Sequence, residues 1–385
     1  MNEIYLDNSA TTKVCASAIS KMVETMEKNY GNPSSLHTKG FEAEKELKNA
    51  RKILADMLCA ESDEIYFTSG GTESNNIAVF GAASLNSRYG KHIVTTAIEH
   101  HSVLNPIEEL EKAGYKVTYL KPDKSGNISP DAVSSAITSD TVLVSMMMVN
   151  NETGAIMPIE ETAKIIKEKA PHALFHVDDV QGFGKLPLDL RKIKIDLLSA
   201  SAHKIHGPKG VGILYVRKGI RLPSRVFGGG QEKNLRSGTE AMPSILGFAC
   251  ACEDLEKPSV MLPKMQELNS LARNLLSEIP DVIIQSPENG LPYIINFSLL
   301  GIRSEILLHY LSSFGIYVSS GSACAGGEKS HVLSAMNLPS EQIDSSIRVS
   351  FSKYTTEEEI RFFAEKVKDG NNTLMKTSKG RNKRR

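Results

Sequence analysis

The sequence predicts an α/β protein: a mostly parallel, seven-stranded sheet between helices, joined to a smaller α+β unit. Three observations carry this. Seven short, apolar, β-rich runs recur between residues 64 and 216. Helical stretches separate several of them, as the crossovers of a parallel sheet require, and continuously apolar runs mark strands buried on both faces. Beyond residue 260 the pattern changes to shorter strands mixed with helices.

Taken in order, the strands of the first group are expected at Glu64–Thr68, His92–Thr95, Val117–Leu120, Val142–Met148, Leu174–Val177, Leu197–Ala200 and Val211–Val216. Helical patterns cover Ala43–Leu58, Asn75–Ala83 and Ile159–Glu168, and a helix-rich stretch, Ser244–Glu256, ends at Lys257-Pro258. A long amphipathic helix over about Met261–Glu278 opens the second group. Strands follow at Val282–Ile284, Ile294–Ser298, Ile316–Ser319 and Ser346–Phe351, with helices at Ser304–Ser312 and Thr356–Lys368. The expected division is a large domain over 14–259, a small one formed by 1–13 and 260–370, and a basic tail over 371–385.

The chain has 385 residues, 41% of them hydrophobic, and a formal net charge of zero. Long-range attraction to nucleic acid or to an anionic membrane is therefore not expected. The basic run Lys376–Arg385 reads as a solvated, frayed terminus, with a nucleic-acid or acceptor-binding arm as the alternative. No stretch resembles a signal peptide or a membrane span. Five cysteines without framework spacing point to a reducing compartment, so cytoplasm is the expected location.

Six motifs carry candidate chemistry. In Ser199–Gly212, Lys204 sits among small residues beside an imidazole. A buried lysine is costly unless it is neutral or covalently capped, and a Schiff base to an aldehyde cofactor removes the cost. Asp178, at the end of Leu174-Phe-His-Val-Asp, could then serve the ring nitrogen of pyridoxal phosphate. A solvated surface lysine is the bland alternative. Phe67-Thr-Ser-Gly-Gly-Thr-Glu-Ser74 runs from a strand into glycines, a hydroxyl and a helix, which aims free amides at an anion. Neither a dinucleotide fingerprint nor a Walker loop is present, so a single phosphate suits it, or it is a plain Gly-rich turn. His176-x-Asp178 with His203 and His206 could be read as metal ligands, but the spacing is poor for zinc.

His100, after a strand, could stack on a flat ring and shuttle protons, or be structural. Cys324 lies in a run of Ser, Gly and Ala that suits a reaching thiol nucleophile, or a small residue in a tight turn. Cys15 and Cys59 sit singly in helical patterns, and Cys250 and Cys252 in a helical run. Phe227–Glu240, with three glycines, suggests a second anion-facing loop, and Arg348 lies in an alternating strand where its fork could take a carboxylate.

Together these motifs resemble the cysteine desulfurases of the NifS/IscS type, class V aminotransferases within the fold type I pyridoxal phosphate enzymes. The resemblance runs from Tyr5-Leu-Asp-Asn-Ser-Ala-Thr-Thr12 to about Phe351 and includes Gly31–His37, Phe67–Ser74, Val149–Gly154, Ser201–Pro208 and Ser319–Cys324. It implies that Lys204 links covalently to pyridoxal 5'-phosphate, that Asp178 faces the pyridinium nitrogen, and that Gln181 faces the phenolic oxygen. His100 stacks on the ring and handles protons. Gly71, Thr72, Ser201 and His203 hold the phosphate, joined by Thr239 from the other subunit of a homodimer. Asn151 and Arg348 bind the carboxylate of L-cysteine, and Cys324 accepts the sulfur as a persulfide. The acceptor protein implied is an iron–sulfur scaffold or a tRNA-thiolating enzyme; the short basic C-terminus departs from members with a longer docking tail. Selenocysteine lyase or cysteine sulfinate desulfinase is the alternative activity on this scaffold. Asp179 replaces a usual small residue, and strand alternation should turn it away from the ring.

Overall fold

The computed structural model describes residues 3–320 and 329–374. Its centre is a seven-stranded sheet in the order β2-β8-β7-β6-β5-β3-β4. The strands are β2 (Ile65–Thr68), β3 (His92–Thr96), β4 (Lys116–Leu120), β5 (Thr141–Met147), β6 (Leu174–Asp178), β7 (Leu197–Ser201) and β8 (Gly212–Val216). Neighbours from β7 through β4 pair in parallel, whereas β8 runs antiparallel to both β2 and β7. The reversal has a simple cause. Residues 202–211 between β7 and β8 are too few for a crossover helix, so the chain returns directly.

Helices cover both faces of this sheet. Before and around β2 lie α1 (Ala16–Glu27), α2 (Thr38–Met57) and α3 (Gly71–Asn86). Then come α4 (His101–Lys112), α5 (Pro130–Ala136), α6 (Ile159–Lys169) and α7 (Met242–Glu253). On one face Ile77, Val79, Ile107 and Leu214 form a buried cluster. On the other, Val144 and Val177 belong to a core that continues to Phe297 and Phe363 beyond the sheet.

That continuation is a four-stranded antiparallel sheet in the order β12-β13-β10-β9. It is built from β9 (Val282–Ile284), β10 (Ile294–Leu299), β12 (Ser319–Ser320) and β13 (Ser346–Ser350). It packs with α8 (Pro258–Ser277), α9 (Ser304–Ser312) and α12 (Glu357–Thr373), while α10 (His331–Ala335) and α11 (Ser340–Asp344) lead into β13. The N-terminal β1 (Ile4–Tyr5) pairs in parallel with β11 (Ile316–Tyr317). The chain then runs beside β13, where the Ser350 amide donates to the Leu6 carbonyl at 2.7 Å.

Some expectations shift by a few residues. The helix expected from Ala43 begins at Thr38, where the His37 side chain accepts from the Gly40 amide. The one expected from Asn75 begins at Gly71, so its amino end coincides with the glycine turn. The strand expected at Ile316–Ser319 is two strands, because its first half pairs with β1 and its second with β13. Cys15 is the residue before α1, and Cys59 lies just past α2 with φ of 53°, so both mark helix ends rather than helix interiors.

One buried ion pair ties α2 to the loop after β8. Arg51 makes two bonds of 2.7 Å to the Glu232 carboxylate, which also accepts from the Phe67 amide at 2.9 Å. It restrains three successive residues with positive φ, Glu232, Lys233 and Asn234. Glu232→Ala should strand the guanidinium and cost about 3–5 kcal/mol, while replacing both partners by apolar residues should cost much less. Urea unfolding of the single and double variants measures the difference.

Candidate active site

The carboxyl ends of β2, β3, β5, β6 and β7 converge on one cavity of about 360 Å³. This is where ligands bind on open parallel sheets. Gly71, Thr72, His100, Asn151, Asp178, Gln181, Ser201, His203, Lys204 and Arg348 all line it. Thr239 does not line the cavity of its own chain, and its side chain is exposed. Cys324 lies outside the described residues, as does the tail from residue 375.

Lys204 follows β7 in a short helical turn, half-buried, and lines the cavity. Its Nζ donates to the Ser9 carbonyl and, at 2.9 Å, to that of Ala10. Burial, then the charges of Arg348 and Lys185, lower its pKa to about 7. Much of this amine is therefore neutral and nucleophilic near neutrality, unlike an ordinary lysine.

Asp178 ends β6 and is buried. Burial raises its pKa, opposed by the Val180 amide, His100, Asn75 and Lys204. The Val180 amide donates to Oδ1 at 3.0 Å and Asn75 Nδ2 to Oδ2 at 2.7 Å. Asn75 also donates to Ser102 Oγ at 2.9 Å, and Ser102 Oγ lies 2.8 Å from His100 Nδ1. Gln181 Nε2 donates to the Ser9 carbonyl at 2.9 Å, and its Oε1 is enclosed without a partner. Asp179 is absent from the lining; its Oδ1 lies over Gly182, and burial pushes its carboxyl well above the usual range. His176 bonds Ser145 at 2.8 Å and Ser199 at 3.0 Å through its two ring nitrogens, so it serves the sheet interior.

At the other end of the cavity is the amino end of α3. No side chain caps it, so its first amides are open to an anion. Gly70 has φ of 148°, which favours glycine, and a Cβ on Gly71 would lie 2.7 Å from Val180 Cγ2. Ser201, at the end of β7, lies beside this glycine turn, and His203, which also lines the cavity, has its Nδ1 3.2 Å from Thr11 Oγ1. Burial lowers the His203 pKa to about 4, so the ring is neutral.

Arg348 stands on β13, opposite Ser319. Its Nη1 donates to the Asn151 carbonyl at 3.0 Å, and its Nη2 to Asp7 Oδ1 at 2.8 Å. Its Nε is buried without a partner. A fork fixed on one side and free on another suits a carboxylate guest. The sequence reading missed Asp7, Asn75 and Ser102, and the carbonyls of Ser9 and Ala10. Asn75 lies one turn inside α3 and Ser102 is the second residue of α4, next to the His100 motif.

Pyridoxal phosphate fits these groups. A buried acid, an uncapped helix end with two hydroxyls, and an amine of lowered pKa all line the one cavity. The unpartnered Gln181 Oε1 and Arg348 Nε leave polar capacity that a guest would use.

Residues 4–363 match the sequence model of the class-V aminotransferases. The chain is 43% identical over 367 residues to a cysteine desulfurase IscS from Dictyoglomus turgidum, covering 94% of this chain and 92% of that protein. It is 44% identical over 364 residues to a cysteine desulfurase IscS from Methanosarcina thermophila, covering 93% and 89%. A solved NifS-like protein superposes with a TM-score of 0.92 at 39% identity, covering 97% of this chain and all, 100%, of the other. A structure of SspA in complex with cysteine gives 0.82 at 34% identity, covering 92% and 100%.

The lowered pKa of Lys204 has a measurable consequence. Capture of pyridoxal phosphate by cofactor-free protein should speed up about tenfold between pH 6 and 8 and then level off. An ordinary lysine would keep accelerating towards pH 10. Stopped-flow absorbance of the cofactor at each pH distinguishes the two.

Proposed function

The chain belongs to the class-V aminotransferase family, and from that premise we infer that it is a pyridoxal-phosphate-dependent L-cysteine desulfurase that passes sulfur through Cys324. One observation carries the reading of the pocket: an amine with a pKa near 7 shares a cavity with a buried acid and a half-free arginine fork.

When bound, the cofactor supplies an aldehyde for the substrate amine and an electron-poor ring that takes up charge released at Cα. Asp178 would face the ring nitrogen, and Gln181, whose Nε2 has a second proton beyond the one given to Ser9, would face the phenolic oxygen. The α3 amides with Thr72, Ser201 and His203 would hold the phosphate. Arg348 and Asn151 seat the cysteine carboxylate, which fixes the direction in which the Cα–H bond points. Lys204 Nζ, in good part neutral near pH 7, would take that proton and later return one to the carbon. The Cys324 thiolate attacks the substrate sulfur; an S–S bond forms as the substrate C–S bond breaks, its electron pair going to the carbon skeleton that becomes alanine. The persulfide sulfur then moves to an acceptor protein, for which an iron–sulfur scaffold and a tRNA-thiolating enzyme are the two proposed classes.

A homodimer is part of this proposal. Tyr30, Leu36, Phe41 and Phe227 are large, apolar and exposed, and the first three come from α2 and the segment before it. Such a surface favours a partner. Thr239 follows Phe227 in the same loop and would reach the second subunit's phosphate site. Among the described residues no helix is long and apolar enough to cross a membrane, and the cytoplasm is the proposed location.

Two outcomes test the function. Cys324→Ala should still give the absorbance change of cysteine binding, since Lys204 and Arg348 remain, yet lose sulfur transfer by roughly a thousandfold or more. Alanine and persulfide assayed separately report this; parent rates would make the protein a lyase that needs no covalent cysteine. Leu36→Glu with Phe227→Glu should shift sedimentation towards the monomer and weaken cofactor retention. A fully active monomer would remove the composite site.

A further inference from the structure

We infer that Asn75 and Ser102 are positioning residues that fix the tautomer of His100, keeping its single proton on Nε2. The inference narrows the role that the resemblance implies for His100, stacking and proton handling, and rests on the proposed function for its catalytic meaning. The tautomer itself stands on geometry alone.

His100 is the residue before α4, a helix of 12 residues, and its ring folds back onto the helix end. The backbone amide of Ser102 donates to Nδ1 at 3.1 Å. An amide has no acceptor lone pair in use here, so this bond runs in one direction only and Nδ1 must be the acceptor. The Ser102 hydroxyl approaches the same nitrogen at 2.8 Å. Its direction is set from behind. Asn75 Nδ2 donates one proton to Ser102 Oγ at 2.9 Å and the other to Asp178 Oδ2 at 2.7 Å. The amide nitrogen, not its oxygen, has to face the carboxylate. Ser102 Oγ is thus an acceptor towards Asn75, and its own proton is free to point at Nδ1.

The polarity of the whole chain follows: Asp178 accepts from Asn75, Asn75 donates to Ser102, and Ser102 donates to His100. With two donors on Nδ1, a proton there would meet two others head-on. The ring proton therefore resides on Nε2, the nitrogen left available to a bound group. Burial also disfavours the doubly protonated ring, whose pKa is lowered, and acceptance from a helix amino end acts in the same sense. His100 then presents a neutral N–H donor to the cavity. In this state it cannot take a proton at Nε2; it stacks and donates a hydrogen bond, and the Cα proton is left to Lys204. The charge on Asp178 polarises the chain, so the acid under one part of the cavity and the imidazole lining another are set together.

The test is 15N NMR of the full-length holoenzyme labelled at histidine, with the His100 signals assigned by their loss in His100→Gln. We expect Nδ1 to resonate as an unprotonated and Nε2 as a protonated nitrogen across neutral pH. A protonated Nδ1, or an averaged pair, would overturn the tautomer. Ser102→Ala and Asn75→Ala should each move the Nδ1 signal towards the averaged position, whereas Ser102→Thr, which keeps the hydroxyl, should restore it. In Ser102→Ala kcat should fall about tenfold, the equivalent of one hydrogen bond, with KM for cysteine little changed. Unchanged His100 shifts in both alanine variants would show that the amide acts alone and would refute the positioning role. The shifts are read whether or not cysteine is desulfurated, so failure of the functional reading would leave a separate and recognisable result.

Discussion

Everything in the cavity depends on the confinement of one amine. Lys204 lies in the turn just past the buried strand β7, and its Nζ donates to the carbonyls of Ser9 and Ala10. Two carbonyl dipoles solvate an ammonium less well than water does, so the charged form is disfavoured. Arg348 and Lys185 add like charge. The price of placing a lysine there is offset by its use: it is ready to bond an aldehyde without a separate base to deprotonate it.

The surrounding groups fall into two electrostatic halves. Asp178 and its chain of donors make one half favourable to positive charge on a ring. The α3 amino end, with the neutral His203 beside it, makes the other favourable to a phosphate. The glycines at the turn matter here for shape more than for flexibility. Gly71 leaves room for Val180, the residue whose amide orients the Asp178 carboxylate, so the two halves share a contact.

Much of this was legible in the sequence, and the reasons differ by element. The strands were plain because a parallel sheet needs continuous apolar runs, and Val142–Met148 or Leu174–Val177 fit no other use. Lys204, Asp178 and the Gly70-Gly71 turn stood out because each breaks a local expectation: a charge, an acid or a flexible turn at the end of a buried strand. The reversal of β8 was not legible, since an apolar run says nothing about its direction. Asn75, Ser102 and Asp7 were also hidden. Their residue types are ordinary for a helix or a loop, and their partners are far away in sequence, with Asp7 and Arg348 separated by 341 positions. Cys324 was singled out by composition, and the described residues stop on either side of it.

The seam between the two chain ends has a consequence for biosynthesis. The carbonyls that hold Lys204 come from residues 9 and 10, while the arginine fork and the strand that clasps the N-terminal segment come from residues 346–350. A ribosome exports the lysine, the acid and the phosphate turn well before it exports that strand. Until that strand has closed on the N-terminal segment, the carbonyls of Ser9 and Ala10 are not clasped and Arg348 adds no charge, so the amine is tuned only when the end of the chain has folded onto its beginning.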